Sequence, residues 1–204
     1  MSRKLASLAA AAVFACLASS VASGQAQAGS RQSVHPSAAT ALIAKGLNLS
    51  GAKVDPLAKG GTVVLIFMRT DCPASNRYAP TIKALSQQYA GKAQFFLVYP
   101  DGSESAANIN KHLQEYSFQI TALRDPNHAL VKLSKVQITP EVAVFNGKRE
   151  LIYHGRIDNW YEDFGRARPQ PTTHELDEAI RASVNGSPTP ASVGGVGCYI
   201  SDLQ

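Results

Sequence analysis

The sequence predicts an α/β fold, a central mixed sheet with helices on both faces, and three observations carry this expectation. Two continuous apolar runs, GTVVLIFMR (residues 61–69) and AQFFLVYP (residues 93–100), have the length and composition of strands buried on both faces. Each is followed by a segment that reads as a helix. Late in the chain, Asn146-Gly147 separates two further apolar stretches, a strong hairpin signal. Alternating strands and helices require parallel pairing through crossovers, and the hairpin adds an antiparallel edge.

The elements follow in order. Residues 1–28 read as a signal peptide: Arg3 and Lys4 precede an uncharged run from Leu5 to Val21, and Ala26-Gln27-Ala28 places small residues at a cleavage site. The run is short and rich in Ala and Ser for a spanning helix, so a periplasmic or secreted protein is expected, with membrane contact only if the leader is retained. Cys16 in VFAC is an alternative lipidation site. Residues 29–50 form an N-terminal extension in which HPSAATALIAKGLNLSG begins with a short helix and ends in a turn at Gly51.

The main domain spans residues 51–186. After its first strand, Pro73 suits the first turn of a helix, where its missing N–H costs nothing, and Tyr78, Ile82, Leu85 and Tyr89 form the buried stripe. Gly91 stops that helix. Ser105 is positioned to cap SAANINKHLQEYS, QITALRD is a short strand, and Asp125-Pro126 caps and opens the helix PNHALVKLSKV. Strands at 141–146 and 149–155 flank Asn146-Gly147, and Thr172-Thr173-His174-Glu175 reads as a capping box for a last helix ending at Gly186. Residues 187–204, rich in Gly, Pro and Ser, make a flexible tail by composition, yet they carry Cys198 within a small apolar patch, VGCYI.

The 204 residues carry a net charge of +5, and loss of the leader with Arg3 and Lys4 leaves +3. The basic residues are dispersed without interleaved aromatics, which excludes a nucleic-acid face. No phosphate cradle, zinc spacing or serine-hydrolase motif is present, so neither cofactor nor metal is expected. The five histidines, His35, His112, His128, His154 and His174, show no ligand spacing and suit surface or capping positions. Glu141 reads as a solvent-facing residue at a strand start.

The chemistry concentrates at RTDCPAS. An ordinary thiol, with a pKa near 8.5, is only about 3% ionised at pH 7, and the thiolate is the nucleophile. Cys72 stands where a strand ends and a helix begins, so unpaired N–H groups favour its anion. Arg69 and Arg77 add to this, Asp71 opposes it, and Ser75 lies one turn on with a hydroxyl to donate. Pro73 and the polar neighbours argue against the alternative, a small buried thiol of no chemical consequence.

VVLIFMRTDCPASNRYAPTIKALSQQY, AQFFLVYPD, LRDPNHALVKLSKV and ITPEVAVFNGKRELIYHGRID together resemble the thioredoxin-like superfamily in its redoxin, or AhpC/TSA, branch, over roughly residues 50–185. The resemblance implies a thioredoxin fold, with Cys72 as the attacking thiolate of a C-x-x-S motif and Thr139-Pro140 as the family's cis-proline element, which contacts substrate. It implies a thiol-dependent oxidoreductase acting on a protein disulfide or a peroxide and reduced by an external donor. Arg69 departs from the Thr or Ser that peroxiredoxins place three residues before their cysteine, which weighs against peroxidase activity. Ser75 excludes disulfide formation within the motif itself.

Cys198 is the other cysteine outside the leader, and the tail resembles that of exported redoxin-domain proteins ending in Gly-Cys-x-Ile. In this reading Cys198 resolves a mixed disulfide or sulfenic acid at Cys72. A permanent staple across the 125 intervening residues is the alternative, worth roughly 5 kcal/mol in the chain-entropy model. Two other classes stand beside the enzyme. A Sco-like copper carrier would use soft thiolates, with His154 as the least implausible further ligand. A non-catalytic binding module would present Pro140, Asp158, Trp160, Tyr161 and Arg166.

Overall fold

Every residue of the first apolar run is buried, from Thr62 to Phe67, and the sheet is built outward from it. The computed structural model describes residues 43–201 and 203. The leader, Cys16 and the start of the helix expected after residue 35 lie outside them. In chain order the elements are β1 (Gly46–Leu47), β2 (Lys53–Val54), β3 (Thr62–Phe67), α1 (Pro73–Arg77), α2 (Ala79–Gln88), β4 (Ala93–Tyr99), α3 (Ala106–Glu115) and β5 (Thr121–Arg124). There follow α4 (Ala129–Ser134), β6 (Ile138–Thr139), β7 (Glu141–Phe145), β8 (Leu151–Gly155), β9 (Tyr161–Asp163), β10 (Arg166–Ala167), α5 (Glu175–Asn185) and β11 (Cys198–Tyr199).

The sheet runs β2-β1-β5-β4-β3-β7-β8. β3 pairs parallel with β4 and antiparallel with β7, so it is the interior strand at which the mixed sheet changes from parallel to antiparallel pairing. Its alternation sorts the core into two layers. Val64, Ile66 and Met68 pack with Ile82 of α2, Ile109 of α3 and Ile180 of α5. Val63, Leu65 and Phe67 pack with Leu130 and Val131 of α4 and with Ile200 from the tail. Helices therefore cover both faces, as the buried runs predict.

Four local expectations are corrected. The helix after Cys72 breaks at Tyr78 into α1 and α2, because Pro80 has no N–H to continue the ladder. The helix expected from Pro126 starts at Ala129, after His128 in the left-handed region (φ 55°); Asp125 still caps it, accepting from Ala129 N–H and Val131 N–H at 2.9 Å each. The hairpin turn is longer than the Asn146-Gly147 pair, its strands ending at Phe145 and resuming at Leu151 with positive φ on Arg149 (65°), and the Asn146 side chain accepts from Lys148 N–H and Glu150 N–H. The capping box at 172–175 is absent: α5 begins at Glu175, Thr172 N–H donates to Asn159 Oδ1, and the Glu175 carboxylate takes Arg156 instead. Ser105 does cap α3, accepting from Asn108 N–H at 3.1 Å.

The tail, expected to be a flexible arm, is held down by its own backbone. Val193 O accepts from Arg156 N–H (2.8 Å), Gly195 N–H donates to Glu141 Oε1 (3.0 Å), and Ile200 N–H donates to Gln137 O (3.0 Å). Between them β11 pairs antiparallel with β6, Cys198 opposite Thr139 and Tyr199 opposite Ile138. Backbone groups satisfied this way offset the chain entropy that a Gly-rich composition would otherwise keep.

Candidate active site

Three segments meet at Cys72. The end of β3 delivers Arg69-Thr70-Asp71, α1 begins immediately after the cysteine, and β6 brings Thr139, whose peptide bond to Pro140 is cis. The register of β11 then sets Cys198 beside Cys72 across Thr139. Thus Cys72, Ser75, Thr139, Pro140 and Cys198 come together, while Pro73 is exposed at the rim.

Cys72 is 1% exposed, contrary to the exposure its corner position suggests, because the tail covers it. Its thiol donates to Thr139 O at 3.3 Å. Burial pushes the thiol up, but hydrogen bonds from Cys198, from the Ser75 N–H and hydroxyl, and from Thr139 outweigh it, and the net shift is downward. These donors are local. α1 has only five residues, so a long helix dipole is not their source. The Ser75 hydroxyl is fully buried and has no other hydrogen-bond partner among the described residues, which leaves its proton for the Cys72 sulfur.

Cys198 behaves oppositely. Burial, the hydrogen bond it gives Cys72 and the adjoining negative charge push its thiol up to about 12, with Arg69 pulling the other way. The pair therefore divides its acidity: Cys72 gives up its proton before Cys198 does. No disulfide links them in this structure.

The two arginines are occupied elsewhere. Arg69 forks onto Asp71 (Nε to Oδ1 3.0 Å, Nη2 to Oδ2 2.9 Å) and reaches Asp101 at 3.4 Å, so its charge is largely neutralised. Arg77 lies over the Trp160 ring, 4.9 Å from its centroid, a cation–π contact on the outer side of α1.

A family model described as Redoxin matches residues 13–163, more than half of the sequence. The chain belongs to the redoxin family. Among solved structures, this redoxin is similar to a hypothetical protein of Sinorhizobium meliloti (19% identity, 76% of this chain and 88% of that one, TM-score 0.62). An uncharacterized conserved protein of Geobacillus kaustophilus is equally near (20% identity, 76% and 86%, TM-score 0.62). A secreted disulfide oxidoreductase of Mycobacterium tuberculosis aligns at 16% identity over 73% of this chain and 99% of that one, with a TM-score of 0.49. Comparison with curated proteins finds no match. Identities this low speak to the fold, which is thioredoxin-like.

Several polar groups of the redoxin's site were not foreseen. Glu141, expected to face solvent, is 6% exposed, and its carboxylate joins the site's two halves: Oε2 accepts from Gln137 N–H at 2.8 Å while Oε1 takes Gly195 N–H of the tail. Behind the loop, Glu104 Oε1 accepts from the N–H and hydroxyl of Thr70 (2.7 and 2.8 Å), and Asn76 Nδ2 donates to Thr70 O. Asn76 Oδ1 then faces His112 Nε2 at 2.8 Å, and His112 Nδ1 faces Tyr99 OH at 2.9 Å. Because that Asn76 oxygen only accepts, Nε2 carries the imidazole proton and Nδ1 accepts from the tyrosine. Burial holds His112 below its usual value, which suits a neutral ring and corrects the surface role expected of it. The helical period was the available signal for His112, three residues after Ile109 and on the same buried face of α3.

Proposed function

We propose that this redoxin is an exported thiol oxidoreductase in which Cys72 attacks a protein disulfide and Cys198 resolves the product. The observation that carries the reading is the juxtaposition of the two thiols across Thr139, with the acidity divided so that Cys72 ionises first.

The Cys72 thiolate attacks one sulfur of a substrate disulfide, forming a Cys72–substrate bond while the other substrate sulfur leaves as a thiolate and takes a proton from water. Attack consumes the negative charge at Cys72. The two influences of Cys72 on Cys198, its hydrogen bond and its charge, then fall away, and Cys198 loses its proton more readily. Its thiolate attacks the Cys72 sulfur, the Cys72–Cys198 disulfide forms, and the second substrate sulfur leaves. The substrate gains two electrons and the enzyme loses two. An external dithiol then reduces the enzyme by the same exchange in reverse. Thr139 and Pro140 shape the wall against which the incoming chain lies, and Ser75 stabilises the attacking anion.

Peroxide reduction would use the same pair through a sulfenic acid, but the forked Arg69–Asp71 pair leaves no free cation at the sulfur to receive the peroxide's leaving oxygen. Copper delivery would have to hold Cu(I) between the two thiols alone, because among the described residues no group of three His, Cys, Asp or Glu side chains is assembled.

Steady-state reduction of a protein disulfide by a dithiol donor tests the assignment. Cys72→Ser abolishes turnover, and Cys198→Ser accumulates a covalent Cys72–substrate adduct. An undiminished rate in Cys72→Ser would sink the reading.

A further inference from the structure

The tail does more than carry a cysteine. It lies as an extended strand along β6, whose pairing among the described residues is with β11 alone. The fit is made by glycines. A Cβ on Gly197 would fall 2.0 Å from Thr139 O, and one on Gly195 would stand 3.1 Å from Pro140 O, so side chains at these positions collide with the cis-proline segment. At the position after Cys198, Tyr199 is 80% exposed and meets no wall. One residue further, Ile200 is 6% exposed among Leu57, Phe67, Leu130 and Phe145. Beneath Gly194, Gly195 and Val196 a cavity of about 140 Å³ remains, floored by Pro140 and walled by Tyr78, Arg156 and Asp158. Its roof is the same segment that seals Cys72.

We infer that residues 195–200 are a resident occupant of the β6 edge beside the cis-proline, that this edge selects an extended polypeptide of the pattern glycine, cysteine, any residue, aliphatic, and that substrate enters by displacing the tail, which reseats with Cys198 against Cys72 once the mixed disulfide has formed. The inference rests on the oxidoreductase reading for its substrate but not for its strand site. With the tail seated, Cys72 is closed to solvent, and the strand hydrogen bonds that hold it are ones another extended chain would replace in kind. Exclusion at the residue before the cysteine follows from the approach of backbone to backbone there, and acceptance two residues later from the apolar recess that Ile200 fills.

The test uses the full chain, reduced, with Cys72 alkylation followed by mass spectrometry of its peptide. Gly197→Ala and Gly195→Val, both outside the core and checked by thermal melting, raise the Cys72 alkylation rate at least tenfold. Adding the redox-inert peptide Val-Gly-Ser-Tyr-Ile to either variant restores protection, whereas Val-Ala-Ser-Tyr-Ile does not. Unchanged alkylation in both natively melting variants, or equal behaviour of the two peptides, overturns the inference. Protection by the first peptide in a protein that reduces no disulfide would keep the strand site and remove the oxidoreductase reading; turnover without selective protection would do the reverse.

Discussion

At Cys72, burial and hydrogen bonding pull in opposite directions and hydrogen bonding prevails. Ser75→Ala removes one donor to the anion, so the Cys72 pKa rises and modification at neutral pH slows several-fold; a 13Cβ NMR titration reads the midpoint directly. The same titration in Cys72→Ser places Cys198 below the value of about 12 that it has beside the thiolate, since burial alone remains to raise it. Reactivity of Cys72 therefore climbs with pH through its lowered midpoint and levels off at a lower pH than that of an ordinary thiol. The closeness of Ser75 to Cys72 was legible because the two are one helical turn apart in sequence, whereas Thr139, 67 residues on, was brought to the cysteine only by the family resemblance. Arg69 misled: Asp71, two residues on, captures it, and charge counting around a cysteine does not show which charges cancel. Glu141 was hidden because a carboxylate opening a strand reads as solvated until the tail is seen to supply its second donor.

At the scale of elements, the site depends on how α2 and α5 clamp the sheet. Ile82 is fully buried where α2 meets β3, and Ile82→Ala costs about 2–5 kcal/mol, read as a lowered urea midpoint. Arg156, after β8, pairs with Glu175 at the start of α5. Burial pushes the Glu175 carboxyl up, but Arg156 and Thr173 outweigh it and its pKa is lowered. A carboxyl depressed by folding contributes stability above its ordinary value and loses it as pH falls through the folded one. Glu175→Gln accordingly lowers stability by about 1–3 kcal/mol at neutral pH and flattens the acid limb of the stability curve, measured by chemical denaturation between pH 3 and 7. Strands β3, β4, β5, β7 and β8 were readable from periodicity and the two- and three-residue strands β1, β2, β6, β9, β10 and β11 were not; the type of every main-domain helix was readable. The helix starts were not, because Asp125 caps across a turn of three residues and the side chains of Asn159 and Arg156 occupy the groups that the expected capping box would have used.

For the whole molecule, the tail decides whether a lone cysteine motif becomes a two-thiol site. Composition alone reads NGSPTPASVGG as slack, and the same glycines that permit slack also permit the close approach at Gly195 and Gly197; only the partner backbone distinguishes the two. A Cys72–Cys198 bond would close a loop of 125 intervening residues, so the oxidised chain is more stable than the reduced one by up to roughly 5 kcal/mol, seen as a higher denaturation midpoint without reductant. Gain of stability alone would suit a fixed staple as well as a catalytic pair. The decisive measurement is disulfide mapping by mass spectrometry of the reduced protein, sampled through a pulse of a protein disulfide substrate and then of dithiol. The account predicts a Cys72–substrate adduct first, an intramolecular Cys72–Cys198 bond replacing it as substrate thiols appear, and full return to two thiols with the dithiol. A Cys72–Cys198 bond that is present throughout, or a Cys72 adduct that Cys198 never displaces, would contradict it.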